Sequence, residues 1–396
     1  RAYRAFDLPG IDMLCGDMEY TTAKQAQSAV HQYGCEGMTS ELYGVTNWDF
    51  DFRGHKLHGD WQAALGVTLR VPHLSWVSMA GEAKRDYPAS ISYQSPWWRE
   101  YPRIEDYFAR LNTALTRGKP VVRIGVIHPV ESYWLHWGPV DQTAAAREKL
   151  EREFRDLTEW LLFGSLDFDF ISESLLPEQC AAGGAPLQVG QMAYDVVIVP
   201  GCETLRSTTL ERLEAFRAAG GTLIFAGDAP TLTDAVPDDR GAKLAAQSVC
   251  VPAEREAVLK AAAGGRQVEL RLEDDSRPDD LLYQLRQDGD TRWLFLSRGR
   301  TPADKDSVAS RTVTIRLAGE WKPTVYDAQT GEIRPIAYTV ADGSTVILWT
   351  AYNYDSLLLH LEPGAGHAAA APETAAVTGT PLTLPTEMAY TLSKPN

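Results

Sequence analysis

A chain of 396 residues that is 44% hydrophobic and 23% charged, with a mean hydropathy of -0.25, has the proportions of a folded globular protein and excludes intrinsic disorder. At about 150 residues per domain, two or three domains are expected. The 53 acidic side chains outnumber 38 basic ones, and the resulting charge of -15 repels nucleic acid and anionic membrane surfaces. No run approaches the roughly 18 apolar residues of a bilayer span.

The chain begins at Arg1 with no charged-then-apolar leader, so it reads as part of a longer protein and export is not legible from this end. Residues 1–118 alternate short apolar runs with helical patterns, as parallel β/α units do. Ile11 to Cys15, Gly37 to Ser40 and Val67 to Val71 read as strands, and Thr21 to Tyr33 and Gly54 to Leu65 as helices. Three such units are too few for a (β/α)8 barrel of about 250 residues, so the segment reads as the C-terminal part of one.

Residues 119–265 form a second unit. Val121 to Ile127 is apolar throughout, as strands buried on both faces are. Leu150 to Phe163 is helical, Phe168 to Ile171 and Tyr194 to Pro200 are strands, Thr209 to Ala219 is a helix stopped by Gly220-Gly221, and Thr222 to Ala226 is a further strand. The pattern predicts a doubly wound, flavodoxin-like α/β domain.

Residues 266–364 change rhythm to alternating strands with Asp-Gly and Thr-Gly turns: Leu281 to Arg286, Trp293 to Ser297, Val313 to Leu317, Thr345 to Trp349 and Ser356 to Leu361. Those hairpin signals predict a β-sandwich. Residues 365–396 read as an Ala-rich linker followed by the first strand of a further β domain.

The five cysteines (Cys15, Cys35, Cys180, Cys202, Cys250) are odd in number and lack any C-x-x-C pair, which disfavours disulfides and structural zinc and points to a reducing compartment, the cytoplasm before the periplasm. Cys202 follows a strand but has no histidine near it in sequence, so it reads as a packed thiol rather than a nucleophile. The turn where an amidotransferase would carry its cysteine is Ala226-Gly227-Asp228, and no phosphate-binding glycine motif occurs. The α/β unit therefore reads as an assembly domain.

Chemistry is expected where barrel strands end, at Gly16 to Tyr20, Ser40 to Gly44 and Pro72 to Trp76. Glu41, near Tyr43 and Trp48, suits a nucleophile or general base beside aromatic faces; the alternative is a structural carboxylate paired with His73 or Arg70. Asp17 and Glu19 are helix-capping carboxylates or, alternatively, acid and substrate-binding groups. His73 is either a ligand for a sugar hydroxyl or a satisfied core histidine, and Trp48 and Trp76 are pocket or packing residues. Trp61, within a helix, reads as core.

The stretch Ser40-Glu-Leu-Tyr-Gly-Val-Thr-Asn-Trp48, with Lys56, Gly59-Asp60-Trp61, Leu65-Gly66-Val67 and Pro72-His73, resembles the end of the catalytic barrel in bacterial glycoside hydrolases of the α-L-rhamnosidase type. Arg85-Asp86-Tyr87-Pro88, Pro96-Trp97-Trp98 and Tyr107 to Leu111 continue the likeness into Val126 to Pro129. The α/β unit beyond Pro129 resembles the amidotransferase-like domain behind the barrel of several glycosidases, including β-galactosidases with a trimerisation domain.

The resemblance implies a glycosidase with Glu41 as nucleophile or base, Glu19 or Asp17 as the acid should this chain supply it, and Asp17, Tyr43, Trp48, His73 and Trp76 near the sugar. No cofactor is expected, and no residue is assigned to a metal. The partners implied are a carbohydrate substrate, the remainder of the barrel from an N-terminal segment or companion chain, and a second copy of this chain. A β-galactosidase-like enzyme and a non-catalytic carbohydrate-binding or assembly module are the alternative functions. A buried, salt-bridged Glu41 would favour the module.

Overall fold

A computed structural model describes residues 2–14, 18–82 and 91–364. Asp17, Cys15, Arg85 to Pro88 and the expected linker and strand of 365–396 lie outside the described residues.

β1 (Gly10–Met13), α1 (Tyr20–Tyr33), β2 (Met38–Leu42), α2 (Phe52–Ala64) and β3 (Val67–Pro72) form a parallel sheet in the order β1-β2-β3. The strands sit where the apolar runs place them, within a residue or two. Side-chain alternation divides the sheet. Ile11, Met13, Met38, Leu42 and Val67 are buried, whereas Asp12, Glu41, Leu69 and Val71 share the opposite, exposed face. α3 (Pro102–Leu115) follows, and its Phe108 ring lies where a Cβ on Gly59 of α2 would come within 2.0 Å, so only glycine permits this helix contact.

β4 (Lys119–Pro120) pairs with Gln287 and Arg286 in the last part of the chain before β5 (Ile124–Ile127) begins. The single strand expected over Val121 to Ile127 is therefore two, because the chain crosses between sheets here and Val121 donates its N–H to the Leu285 carbonyl at 2.9 Å. α4 (Val130–Leu135) precedes α5 (Val140–Phe163), which starts ten residues before the expected Leu150. Only the end of α5, Leu157 to Phe163, buries a face, and its solvated first turns carry no apolar signal.

β6 (Phe168–Ile171), α6 (Leu176–Gln179), the hairpin β7 (Leu187–Val189) and β8 (Met192–Tyr194), and β9 (Val196–Pro200) come next. After β10 (Thr204–Leu205), α7 (Ser207–Ala218) and β11 (Thr222–Ala226), the short β12 (Leu232–Thr233) and β13 (Val236–Pro237) pair beside β10. α8 (Arg240–Ala246), β14 (Val249–Val251) and α9 (Arg255–Ala261) complete the unit. The main sheet is wholly parallel, in the order β6-β5-β9-β11-β14. Counted within the sheet this is 2-1-3-4-5, the flavodoxin-like order.

β15 (Val268–Arg271), β16 (Leu281–Asp288), β17 (Thr291–Arg298), β18 (Arg311–Ala318), β19 (Trp321–Tyr326), β20 (Ile333–Pro335), β21 (Tyr338–Ala341), β22 (Ser344–Ala351) and β23 (Ser356–Pro363) form two antiparallel sheets. Their orders are β20-β19-β23-β17-β16-β4 and β15-β18-β22-β21. Leu270, Leu294, Ile315, Ile347 and Leu359 fill the space between them. Asp342 and Gly343 link β21 to β22 with both φ values positive, 51° and 68°, the backbone of a type I′ hairpin turn.

Candidate functional site at the C-terminal end of the three-stranded sheet

Glu41 is the penultimate residue of β2 and projects from the exposed face. Neither cation considered as its structural partner pairs with it. Arg70 instead donates to Glu105 at 2.7 Å and to the Tyr43 hydroxyl at 3.2 Å, and it stacks on Phe108 at 3.9 Å. The Glu41 carboxylate has no hydrogen bond or ion pair among the described residues.

The loop after Glu41 is strained. Tyr43, Val45 and Asn47 have φ of 68°, 58° and 63°, a region that side-chain-bearing residues, β-branched valine above all, rarely adopt. This backbone corrects the expectation for Tyr43. Its ring turns into the core, 1% exposed, and its hydroxyl donates to the His55 carbonyl at 3.0 Å. Burial pushes that phenol up to about 12. Tyr43 is thus a packing residue and presents nothing to a ligand.

His73 follows β3 and donates its N–H to the Leu42 carbonyl at 2.7 Å. Its ring lies against Gly44, where a Cβ would stand 3.2 Å from Cδ2, and meets Trp76 edge-on at 6.3 Å. His73 Nδ1 is buried without a hydrogen-bond partner among the described residues. Trp76 is half-buried and accepts at its carbonyl from Gln94 at 2.6 Å, and Trp48 is 41% exposed. The sheet thus brings Glu41, His73 and Trp76 to one end.

Glu19 stands at the N-cap of α1, with its carboxylate accepting from Thr22 Oγ1 at 2.7 Å rather than from a backbone N–H. The carboxylate directly alongside Glu41 is Asp12, its register partner on β1 and equally exposed. Register partners in a parallel sheet put their side chains on the same face about 4.8 Å apart. Asp12 is not among the residues expected at the site from sequence, and its one signal there is an acid between two apolar residues in Gly10-Ile11-Asp12-Met13.

Among the described residues, the crevice at the C-terminal edge of the α/β sheet is lined by two thiols, Cys202 and Cys250. Cys202 is 5% exposed, and burial beside Glu173 and Glu203 pushes its thiol up, away from the thiolate. Cys35, Cys180, Cys202 and Cys250 are free thiols. Among the described residues no helix is long and apolar enough to cross a membrane, and no group of three His, Cys, Asp or Glu is placed to hold a metal.

No protein-family model matches the chain. A protein of Formosa agariphila named "Putative beta-glucuronidase" is 23% identical over 342 residues, which cover 82% of this chain and 27% of that protein. The solved structure of a rhamnosidase from Novosphingobium sp. PP1Y matches with a TM-score of 0.67 at 16% identity, over 92% of this chain and 36% of that one. The chain shares its fold with glycoside hydrolases. A β-galactosidase from Bacillus circulans sp. alkalophilus gives 0.60 at 13% identity, over 91% and 61%. The likeness to rhamnosidase-type glycoside hydrolases expected from Ser40 to Pro129 is therefore borne out. The chain spans 27% of the length of the curated relative and 36% of the rhamnosidase.

Proposed function

We propose that this chain is the C-terminal part of a glycosidase of the α-L-rhamnosidase type, in which Glu41 is the nucleophile or general base. The observation that carries the proposal is the setting of Glu41, an exposed carboxylate bound to no cation at the C-terminal end of parallel strands, flanked by His73, Trp76 and Asp12. A carboxylate held for structural reasons would be paired, as Asp60 and Asp167 are. That contrast weighs against the non-catalytic module.

Residues 1–118 are assigned to the end of a (β/α)8 barrel, 119–265 to an amidotransferase-like α/β domain and 266–364 to the sandwich. On this reading the exposed face of Asp12, Glu41, Leu69 and Val71 is the barrel interior, and further β/α units close over Leu69 and Val71, which are 49% and 47% exposed. Those units supply the partner acid, unless Asp12 takes that part. Glycoside hydrolysis needs two carboxyl groups, about 5 Å apart for retention and about 6.5–9.5 Å for inversion.

In the mechanism, the Glu41 carboxylate attacks the anomeric carbon or removes a proton from water, while the partner acid protonates the departing oxygen. His73 and Trp76 hold the sugar by a hydrogen bond and ring contact. A β-galactoside is the second substrate reading, favoured by the TM-score of 0.60 over 91% of the chain. Full-length protein assayed on a panel of nitrophenyl glycosides tests both. Release from the α-L-rhamnoside is expected to be fastest; strongest release from the β-galactoside favours the second reading, and no release from any glycoside contradicts the enzyme.

A further inference from the structure

At the end of the three-stranded sheet opposite Glu41, the last turn of α1 and the starts of β2 and β3 meet the α/β unit and the sandwich around a cleft of about 1000 Å³. Its lining reverses the charge of the molecule. Lys119, Arg123, Arg286 and Arg292 face a single lining carboxylate, Glu36, in a chain of net charge -15. Arg123 is ion-paired with Asp195, whereas the other three cations have no carboxylate partner among the described residues.

Arg286 donates Nε to the Arg117 carbonyl at 2.7 Å and Nη2 to the Gly118 carbonyl at 2.9 Å. Arg292 donates Nε to Gln287 Oε1 at 2.7 Å and lies over the Trp321 ring at 4.6 Å. Backbone and amide contacts thus hold both guanidiniums in place while leaving other N–H groups for a ligand. Burial lowers both side chains' affinity for their proton, opposed at Arg286 by the nearby Asp288 carboxylate, and a bound anion would offset that cost.

Two amides in the lining are nearly inaccessible and incompletely bonded. Gln27, 1% exposed, accepts at Oε1 from Lys24 Nζ at 2.5 Å, which fixes its Nε2 as a donor with no partner. Gln284, 2% exposed, has no partner for Oε1. A hydroxyl group can accept from the first kind of atom and donate to the second, and buried polar groups left unpaired are rare.

We propose that this cleft is a second carbohydrate site, taking a sugar that carries a carboxylate: hydroxyls bond to Gln27 and Gln284, and the carboxylate to Arg286 and Arg292. The site is independent of the glycosidase reading, since no residue in it belongs to the Glu41 cluster. Titration calorimetry on the full-length protein compares D-glucuronate with D-glucose, which lacks the carboxylate, and with acetate, which lacks the hydroxyls.

Glucuronate is expected to bind saturably and at least about tenfold more tightly than either, since a charge-assisted bond and the hydroxyl bonds each carry that much. Gln284→Leu and Arg286→Gln should each weaken glucuronate about tenfold or more while turnover of a nitrophenyl glycoside stays at its wild-type rate. Gln284→Leu keeps the side chain's size and gives up a carboxamide whose buried Oε1 has no partner among the described residues, so it keeps the test alive should Arg286→Gln fail to fold. Three results would overturn the site: no saturable glucuronate binding, equal affinity for glucose or acetate, or undiminished binding in both folded variants.

Discussion

Asp12 and Glu41 stand side by side because β1 and β2 run parallel in a register that pairs them, and both occupy exposed positions. Glu41 is legible in the sequence as an acid closing a run of small and apolar residues. Asp12 is not, since its strand has four residues and period-two alternation over so short a run is a weak signal. Tyr43 defeats a sequence reading for a different reason. Its positive φ reverses the direction expected from the strand, and no sequence periodicity encodes that.

Where Asp12 takes the part of the partner acid, Asp12→Asn in the full-length protein lowers kcat by about 10²-fold or more, with the melting temperature unchanged because exposed substitutions cost within about 0.5 kcal/mol. Turnover and melting measured on one preparation check this, and an unaltered kcat excludes Asp12 from the reaction.

Three histidines set a pH dependence. Burial pulls His55, His58 and His128 down to about 4 from the ordinary 6.5, and His128 Nε2 faces the Gln25 amide at 3.2 Å as an acceptor. Between pH 6.5 and about 4 the unfolded chain binds protons at these positions that the folded chain refuses. Their contribution to stability is thus complete above pH 6.5 and declines on acidification, by up to about 1.4 kcal/mol per pH unit for each proton.

Glu173 acts in the opposite sense, since burial raises it to about 7 and the folded chain takes up a proton there between pH 4.5 and 7. Burial raises Asp60 in the same direction. Three groups against two leave the histidines dominant. The melting temperature should fall from pH 6.5 to 4.5, and less steeply in His128→Gln. A flat or rising profile would contradict the assignment.

Among the elements, α1 shows most clearly what a sequence conceals. Its helical periodicity is readable, yet its inward face carries Lys24, Gln27, Ser28, His31 and Gln32. Lys24 pairs with Asp167 at 2.8 Å, His31 with Asp169 at 2.8 Å, and Gln32 donates to the Phe170 carbonyl at 2.8 Å, all on or next to β6. These partners lie more than 130 residues away in sequence, so no local pattern could assign them.

Removing one member of the Lys24–Asp167 pair leaves a buried charge, at a cost of about 3–5 kcal/mol. Lys24→Met should therefore destabilise by that amount, and adding Asp167→Leu should recover much of it despite the lost Phe168 N–H contact. Denaturant unfolding of both singles and the double closes the cycle. Additive losses would show that the pair does not hold α1 to β6.

α2 explains why a motif can mark a fold without marking its chemistry. Lys56 binds Asp60 at 2.5 Å and the Tyr354 carbonyl at 2.9 Å, Tyr107 donates to Asp60 at 2.6 Å, and Trp61 is fully buried. The residues that carry much of the resemblance thus fasten α2 and α3 to the sandwich. In this chain they serve assembly, away from the exposed face that bears Glu41.

For the whole molecule, the changes of rhythm near 119 and 266 are legible because a doubly buried parallel strand reads as a continuous apolar run and a sandwich strand alternates. The joints are not. α1 docks on the α/β sheet, α2 on the sandwich and β4 within it, so the three units form one body whose free face is the one bearing Asp12 and Glu41. The rest of a barrel would close over that free face, with Glu41 at the reacting centre.

Glu41→Gln in the full-length protein separates a reacting carboxylate from a bystander, with kcat on the best nitrophenyl glycoside and melting temperature measured together. An unchanged melting temperature and a kcat lowered by about 10²- to 10⁴-fold are expected, with a larger loss if Glu41 is the nucleophile. A variant that turns over at the wild-type rate, whatever its melting temperature, would contradict a reacting Glu41.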